Sequence, residues 1–160
     1  ELGAEAPRLL GLPDNRLDSR DLLDVVQAIE AVVREVAPDA VYTHHGSDLN
    51  IDHRIVHQAV LTACRPVPGS PVRRVYAFET VSSTEWSSRA LGPSFAPTRF
   101  VDISATLAAK LRALACYQRE MRPFPHARSI EAVEALARLR GSQADIAAAE
   151  AFETILDIQD

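Results

Sequence analysis

The sequence predicts an α/β sandwich built around a largely parallel sheet. Segments whose apolar residues recur at helical spacing alternate with short apolar runs of strand length. The connections between these segments are short, which is typical of strand–helix–strand units. At 160 residues the chain is long enough for one domain with a real core, so we predict a single domain over residues 1–160.

The first half of the chain contains two predicted helices and one predicted strand. An apolar stripe at helical spacing predicts a helix from Leu22 to Val36, which Pro38 ends. The run Asp39–Thr43 predicts a short strand that is apolar enough to be buried on both faces. A second helix is predicted from the histidine-rich loop that follows to about Cys64, where Arg65–Pro66 stops it.

The second half of the chain contains two further predicted strands and then helices. The runs Val72–Glu79 and Thr98–Ile103 are rich in residues that favour strands. Helical spacing predicts three helices after them, over residues 107–120, 129–140 and 144–156. The chain is thus predicted to close with a helix.

Composition excludes several classes of partner. Apolar residues make up 47% of the chain and charged residues 24%, which is ordinary for a soluble globular protein. The net charge of −5 argues against a nucleic-acid partner, which requires a basic face. No apolar run approaches the ~18 residues of a membrane span, so no membrane partner is predicted. Cys64 and Cys116 lie on apolar faces of predicted helices, and we expect reduced core thiols and a cytoplasmic setting.

The stretch Val41–Val60, VYTHHGSDLNIDHRIVHQAV, concentrates residues that can bind a metal or transfer protons. Three of the five histidines and two aspartates fall between His44 and His53, and His57 follows one helical turn later. Imidazole and carboxylate are ligands that suit zinc. His44 and His45 directly follow a predicted strand, at the edge of a parallel sheet where catalytic groups usually lie. We therefore expect the functional site at this loop, although the stretch alone shows no full ligand set.

One metal motif can be excluded. His53 and His57 have the i, i+4 spacing of zincin metalloproteases, in which a glutamate follows the first histidine and acts as base. That position is Arg54 here, so the zincin interpretation is rejected. His57 is expected to pack or to face solvent.

The stretch THHGSDLNIDHRIVHQAV resembles the LmbE-like, or PIG-L-type, family of zinc-dependent N-deacetylases. The segments LPDNRLD, ACRP, YAFETVSSTEW and LAAKLRALACYQREMR resemble the same family, so the likeness covers nearly the whole chain. It implies a Rossmann-like three-layer sandwich in which a metal-bound water removes an acetyl group from an N-acetylated sugar or glycoconjugate. The implied cofactor is Zn²⁺, with iron or another divalent metal as the alternative.

The resemblance implies one metal ligand in this chain and two elsewhere. His53 matches the ligand histidine of the family's DH pair. The other two ligands, a histidine and an aspartate, belong to an HPDD motif whose neighbouring aspartate is the general base. No HPDD occurs in the sequence. We therefore expect the motif loop and the first strand upstream of Glu1, and little or no activity from the 160 residues alone.

The position of the family's catalytic acid also differs here. Many members have HPDH, whose first histidine stabilises the oxyanion or protonates the leaving amine, whereas this chain has NIDH with Asn50 in that place. The Asn50 amide can still hydrogen-bond a developing oxyanion. We expect His45, rather than His44, to act as the acid, with Asp48 orienting it unless Asp48 is only a turn residue. Asp52 caps the helix, orients a catalytic group, or does both.

Four further side chains are candidates for contacts with a sugar. Glu79 ends its predicted strand, where a carboxylate can hydrogen-bond sugar hydroxyls, and Trp86 either stacks on a sugar face or belongs to the core. His126 and Arg128 lie in a proline-fixed loop that resembles a family motif. This loop lines the substrate pocket or a subunit interface, or is simply solvated. The resemblance also implies that a homo-oligomer can form.

Two functions of different classes follow from these observations. The first is an N-deacetylase acting on an N-acetylated sugar or glycoconjugate. The second is a non-catalytic sugar-binding or assembly protein of the same fold that has lost its metal site, and an HPDD motif before Glu1 distinguishes the two. A dinucleotide-binding domain is a weak third interpretation, because the sequence contains no G-x-G-x-x-G motif.

Overall fold

A computed structural model describes residues 3–159, which form a mixed α/β arrangement of four helices and four strands. After a 3₁₀ turn at Leu17–Ser19, the elements are α1 (Leu22–Val36), β1 (Ala40–His44), α2 (Ile51–Ala63), β2 (Arg74–Phe78), β3 (Arg99–Asp102), α3 (Leu107–Ala115), α4 (Ile130–Ser142) and β4 (Ala149–Asp157). The predicted α/β class is confirmed.

The described residues divide into two compact units. The larger unit consists of residues 9–97 and 152–159 and contains α1, α2, β1, β2 and most of β4. The smaller unit consists of residues 3–8 and 98–151 and contains α3, α4, β3 and the start of β4. The prediction of a single domain stays a prediction. None of the helices described between residues 3 and 159 has both the length and the apolar character needed to cross a bilayer.

Helices α1 and α2 of the larger unit pack through their apolar stripes. Val25 and Val26 of α1 are buried against Ala59 of α2. Ala37 adopts the left-handed conformation, with φ 49°, and its N–H closes the last turn of α1 on the carbonyl of Val33. The helix therefore ends directly before Pro38, as the sequence predicts.

The sheet of the larger unit is mixed. β1 and β2 run parallel, with Val41 opposite Val75, whereas β2 and β4 run antiparallel, with Phe78 opposite Phe152. β2 lies between the other two strands, and its central residues Val75, Tyr76 and Ala77 are buried. The predicted largely parallel sheet is not confirmed, because the last strand returns against the direction of the first two.

The prediction that residues 144–156 form a closing helix is wrong. Residues 149–157 form β4, which pairs with β2 along most of its length. Alanine and glutamate favour helices, and their abundance here accounts for the prediction. Pairing with β2 and the burial of Ala149 and Ala151 on one face of the strand stabilise the extended form instead.

Two expectations about burial are also wrong. Tyr42 of β1 is 47% exposed, so β1 is not buried on both faces. Cys116 is exposed, because α3 ends at Ala115 and the predicted continuation to residue 120 forms turns. Cys64 is a buried free thiol as expected, and burial raises its pKa.

The smaller unit is organised around α4. Ser129 is fully buried and caps this helix by accepting a hydrogen bond from the N–H of Ala132 at 3.0 Å. At the other end, Gly141 lies against the chain that leads into β4. A Cβ at this position would lie 2.5 Å from the carbonyl oxygen of Ile146, so only glycine permits the approach.

Candidate active site

The histidine-rich loop joins β1 to α2, and Asn50 sets where α2 begins. The side-chain oxygen of Asn50 accepts hydrogen bonds from the backbone N–H groups of Asp52, at 2.8 Å, and His53, at 3.4 Å. Its side-chain N–H₂ donates to Asn15 at 3.0 Å. Asparagine is among the best N-capping residues. Asn50 therefore fixes the backbone that carries His53, while its role at an oxyanion stays a prediction.

Asp48 is a fully buried carboxylate held by several donors. It accepts hydrogen bonds from the hydroxyls of Ser83 and Thr84, the latter at 2.7 Å, and from the N–H of Asn50 at 2.9 Å. Burial alone raises the pKa of Asp48, but contact with His53 and these hydrogen bonds outweigh burial and hold the pKa below its ordinary value. Asp48 is thus a fixed anion rather than only a turn residue.

The imidazole of His53 lies directly against this anion. Its Nδ1 is 3.0 Å from Oδ1 of Asp48, which is ion-pair distance although the angle is not that of a hydrogen bond. A carboxylate at Nδ1 orients a metal-binding histidine and leaves Nε2 as the ligand atom. Asp48 was expected to orient His45, but the structure places it beside His53.

His44, the last residue of β1, is the histidine that touches His53. The two rings are stacked, with centroids 3.9 Å apart and planes at 14°. Burial, reinforced by the neighbouring His53, lowers the pKa of His44 to about 4, so the ring is neutral at pH 7. Within residues 3–159, the buried Nδ1 of His44 has no hydrogen-bond partner. The carbonyl of His44 accepts from Nδ1 of His57 at 2.8 Å, so His57 packs in the loop as expected.

His45 lies in a different, buried environment and is 4% exposed. Its Nδ1 is 2.8 Å from Oε2 of Glu153, and its Nε2 is 3.1 Å from the carbonyl oxygen of Pro93. The hydrogen bond to Glu153 raises the pKa of His45 against the lowering effect of burial. Because both ring nitrogens face oxygen acceptors, both must donate, and the ring is an imidazolium paired with a carboxylate. The predicted role of His45 as catalytic acid stays a prediction.

His45 also forms part of a pocket of about 110 Å³, which we call the hydroxyl pocket. Thr84 connects this pocket to the candidate ligand, because its hydroxyl donates to Asp48, which in turn contacts His53. Most of the lining side chains carry hydroxyl groups, and the full lining is His45, Ser47, Thr84, Glu85, Ser87, Ser88, Gly92, Pro93 and Ser94.

A larger cavity, of about 580 Å³, lies in the smaller unit. It runs along α3, and its lining is mainly apolar, with Lys110 and Glu150 as its charged residues. None of the candidate residues from the sequence lines it. Of these two cavities, the hydroxyl pocket is the one lined by a candidate residue, His45.

Asp52 does not cap α2, because Asn50 occupies that position. The carboxylate of Asp52 accepts a hydrogen bond from the N–H of Leu17 at 2.9 Å. This contact ties the 3₁₀ turn at Leu17–Ser19, of which Leu17 is buried, to the start of α2. Whether Asp52 also orients a catalytic group stays a prediction.

The remaining four candidates are dispersed. Glu79 follows β2 and is partly exposed, and Trp86 is 54% exposed and therefore not a core residue. His126 and Arg128 belong to the smaller unit, where a ring nitrogen of His126 accepts from the N–H of Arg128 at 3.0 Å. The guanidinium of Arg128 pairs with Glu120 at 2.6 Å. Their roles in substrate binding stay predictions.

Sequence reasoning does not identify three residues that the structure brings to this site. Ser83 and Thr84 hold Asp48, and the only signal for them is the hydroxyl-rich composition of the segment around them. Glu153 pairs with His45 but lies 108 residues away in the chain. Only the recognition of β4 as a strand beside β2 would have placed Glu153 there.

The described residues do not supply a complete metal site. A catalytic zinc usually has three protein ligands and a water. Between residues 3 and 159, no three histidine, cysteine, aspartate or glutamate side chains are grouped closely enough to hold a metal ion. His53, with Asp48 at its Nδ1, has the surroundings of one ligand, and His44 is a neutral imidazole beside it. These residues therefore fit one ligand position and not the whole metal centre.

Two comparisons match the sequence itself. The family model PIG-L, described as GlcNAc-PI de-N-acetylase, matches residues 1–64. The uncharacterized deacetylase YaiS of Escherichia coli strain K12 is 31% identical over 87 residues, which are 51% of this chain and 44% of YaiS. The chain therefore matches less than half the length of this curated relative.

Three solved structures share the fold. The conserved protein TT1542 of Thermus thermophilus has a TM-score of 0.72 at 21% identity, over 94% of this chain and 66% of its own. GalB, the 4-carboxy-2-hydroxymuconate hydratase of Pseudomonas putida KT2440, has a TM-score of 0.66 at 22% identity, over 88% and 62%. The N,N′-diacetylchitobiose deacetylase of Pyrococcus horikoshii has a TM-score of 0.66 at 15% identity, over 92% and 56%.

The likeness to solved structures shows the fold alone, since one hydratase and one deacetylase resemble this chain equally well, each with a TM-score of 0.66. The sequence matches carry more information about chemistry. The family model covers the loop from His44 to His53, and the DH pair of that loop places His53 beside Asp48. With the deacetylase YaiS as a relative, these findings confirm that the chain resembles the PIG-L, or LmbE-like, family.

Proposed function

We propose that this protein is a metal-dependent hydrolase that removes the acetyl group from an N-acetylated sugar or glycoconjugate. One observation carries the proposal: the histidine of the DH pair, His53, stands at the start of α2 with the buried carboxylate of Asp48 at its Nδ1. The family supports the reaction class, because its model is described as a de-N-acetylase and YaiS as a deacetylase. GlcNAc in the family description and diacetylchitobiose in a structural neighbour support the sugar.

In this proposal His53 is one ligand of Zn²⁺ or of another divalent metal. Asp48 keeps the His53 ring oriented through its Nδ1 side, so that Nε2 is the free ligand atom. The three protein donors around Asp48 keep it charged and in place. The proposal also requires further ligands and a base, since residues 3–159 contain no group of three side chains that could hold the metal.

The hydroxyl pocket supports a polar substrate group that is not an anion. The charge of His45 is balanced by Glu153, and the second charged residue of the lining, Glu85, is a carboxylate that accepts hydrogen bonds from the N–H groups of Ser82 and Ser83. Hydroxyl side chains form most of the remaining wall and can donate and accept hydrogen bonds, as sugar hydroxyls do. Exposed Trp86 is proposed as a stacking surface for a sugar ring, with Glu79 and Asn50 as further polar contacts.

Acetate release from N-acetylglucosamine glycoconjugates by the full natural protein tests this function. We expect release that a chelator abolishes and Zn²⁺ restores, and zinc in the purified protein by elemental analysis. His53→Ala is expected to lose both the metal and the activity. Gln58→Ala, an exposed change on the same helix, serves as the control and should retain both.

A non-catalytic sugar-binding or assembly protein is the second candidate. The absence of a three-ligand group among residues 3–159 favours it. Calorimetry distinguishes the two candidates, because a binding protein takes up the N-acetylated sugar with the same affinity in chelator and in Zn²⁺ and releases no acetate. That result for the full natural protein would replace the deacetylase proposal. A cytoplasmic setting and a homo-oligomer are part of the first proposal, and size-exclusion chromatography with light scattering tests the latter.

A further inference from the structure

A buried ion pair away from His53 holds one segment of the larger unit at two points. Nε2 of His45 is 3.1 Å from the carbonyl oxygen of Pro93. Its partner Glu153 binds the imidazole through Oε2 at 2.8 Å and accepts a hydrogen bond from the N–H of Ala96 through Oε1 at 2.6 Å. The ring of Phe95 meets the His45 ring edge to face, with centroids 5.6 Å apart. The pair thus fastens the Pro93–Ala96 segment, whose own residues are largely exposed.

The two hydrogen bonds of the His45 ring, to Glu153 and to Pro93, together require a protonated imidazole. A neutral histidine has one N–H and one lone pair, and the lone pair would face either the Glu153 carboxylate or the Pro93 carbonyl. Glu153 on β4 and Asp48 in the β1–α2 loop both favour the cation. On the other side of the pair, Ala96 and the two histidines His45 and His57 favour ionised Glu153. The surroundings therefore hold the pair as imidazolium and carboxylate.

The fastened segment forms one wall of the hydroxyl pocket. Gly92, Pro93 and Ser94 line the pocket together with His45. The lining also includes Thr84, which hydrogen-bonds Asp48, and Asp48 contacts His53. The position of the segment therefore sets the width of a polar pocket that one carboxylate separates from the candidate ligand.

We propose that Glu153 is a positioning residue: it holds His45 as a two-donor imidazolium and so fixes the Pro93–Ala96 segment as the wall of the hydroxyl pocket. The charges of His45 and Glu153 cancel and Glu85 adds a carboxylate to the lining, so the pocket disfavours an anion and suits a hydrogen-bonding group such as a sugar hydroxyl. The identity of that group rests on the proposed function, whereas the positioning by Glu153 does not.

Glu153→Gln tests the proposal in the full natural protein. The glutamine keeps the length of the side chain and can still accept from Ala96, but it cannot balance a cation. We expect His45 to titrate at lower pH in this variant than in the wild type, by NMR of the ring nitrogens. Amide exchange at Ser94, Phe95 and Ala96 should accelerate at neutral pH by about tenfold, since the Ala96 N–H then donates to a neutral amide instead of a carboxylate and His45 loses its charged partner.

Two further variants keep the outcome unambiguous. Glu150→Gln removes a carboxylate from the same strand, where it pairs with Lys110, and should change neither readout. Glu153→Asp keeps the charge and should restore the His45 titration towards the wild-type value. Unchanged His45 titration in Glu153→Gln, or equal effects of Glu150→Gln, would overturn the proposal.

Kinetics then link the pocket to the substrate. In an active wild type, Glu153→Gln is expected to raise KM at least about tenfold with a smaller change in kcat, because binding rather than chemistry is perturbed. A fall in kcat with KM unchanged would contradict the placement of the pocket at the substrate. A wild type that releases no acetate refutes the proposed function, and the NMR and exchange measurements still decide the role of Glu153.

Discussion

Asp48→Asn is the perturbation that most directly tests how the site is built. The side chain is fully buried, and asparagine matches its shape while removing its charge. Ser83, Thr84 and the N–H of Asn50 donate to the carboxylate. We therefore expect the substitution to act through these hydrogen bonds rather than through packing.

The magnitude follows from the three donors. A hydrogen bond to a charged group contributes ~1.5–3 kcal/mol and a neutral one ~0.5–1.5 kcal/mol, so loss of the charge costs ~1 kcal/mol for each bond. In addition, the amide N–H₂ of the new side chain faces a hydroxyl that now has to accept a hydrogen bond instead of donating one. The free energy of unfolding should fall by ~2–4 kcal/mol, which is a large part of the ~5–15 kcal/mol typical of a domain.

Urea denaturation followed by circular dichroism measures this change. The control is Asp102→Asn, because Asp102 is exposed and hydrogen-bonds only locally, to Ser104. It should leave the free energy of unfolding essentially unchanged. An Asp48→Asn protein within ~0.5 kcal/mol of the wild type, at an unchanged m-value, would refute the account of Asp48 as the fixed anion of the site.

Three further predictions concern pH, a glycine and a helix cap. The pKa of His45 is raised in the folded protein, so its pairing with Glu153 stabilises the fold fully below pH ~6.5 and progressively less as the pH rises through the folded-state pKa. Urea titrations at a series of pH values should show this alkaline decline in stability. Gly141→Ala should destabilise by ~1–3 kcal/mol although it sits in a helix, because the new Cβ would approach the Ile146 carbonyl, which thermal unfolding can measure. Ser129→Ala should cost ~1 kcal/mol by the same method, through loss of the α4 cap.

Matched variants isolate each cause. Glu153→Gln should abolish the alkaline decline, and a decline that persists would assign it to another group. Ala135→Gly, on the exposed face of α4, measures the difference in helix propensity between alanine and glycine, ~1 kcal/mol. Gly141→Ala would gain this amount if its Cβ met no clash. A Gly141→Ala protein more stable than the wild type would therefore contradict the close approach. Ser142→Ala changes a serine at the other end of α4 and should be nearly neutral, since its hydroxyl only donates to the Leu139 carbonyl.

Local patterns are enough to predict the elements that surround the loop. The apolar stripe of α1 and the stop at Pro38 are visible in a single segment, and α1 ends where they indicate. The position of the site after β1 follows from the rule that the carboxyl ends of strands carry functional residues. Asn50 is a different case, because a good capping residue and a departure from the HPDH pattern occur at the same position, and the structure shows the cap.

Contacts between distant segments are what the sequence does not reveal. β4 has a helix-favouring composition, and its extended form depends on pairing with β2, whose residues lie more than seventy positions earlier, as with Phe78 opposite Phe152. Glu153 reaches His45 only through that pairing. Because the sequence pattern predicts a helix in the last segment, it cannot place Glu153 beside the buried His45.

The adjacent histidines show how one step along a strand separates two kinds of chemistry. Side chains alternate in direction along an extended chain, so His44 and His45 were expected to point to opposite sides. The structure shows that His44 is the one that meets His53. The consequence is electrostatic: burial lowers the pKa of His44, which stays neutral beside the candidate ligand, whereas the carboxylate of Glu153 raises the pKa of His45 and favours its cation. A neutral ring beside His53 adds no charge that would repel a metal ion, and the cation is kept where a carboxylate balances it.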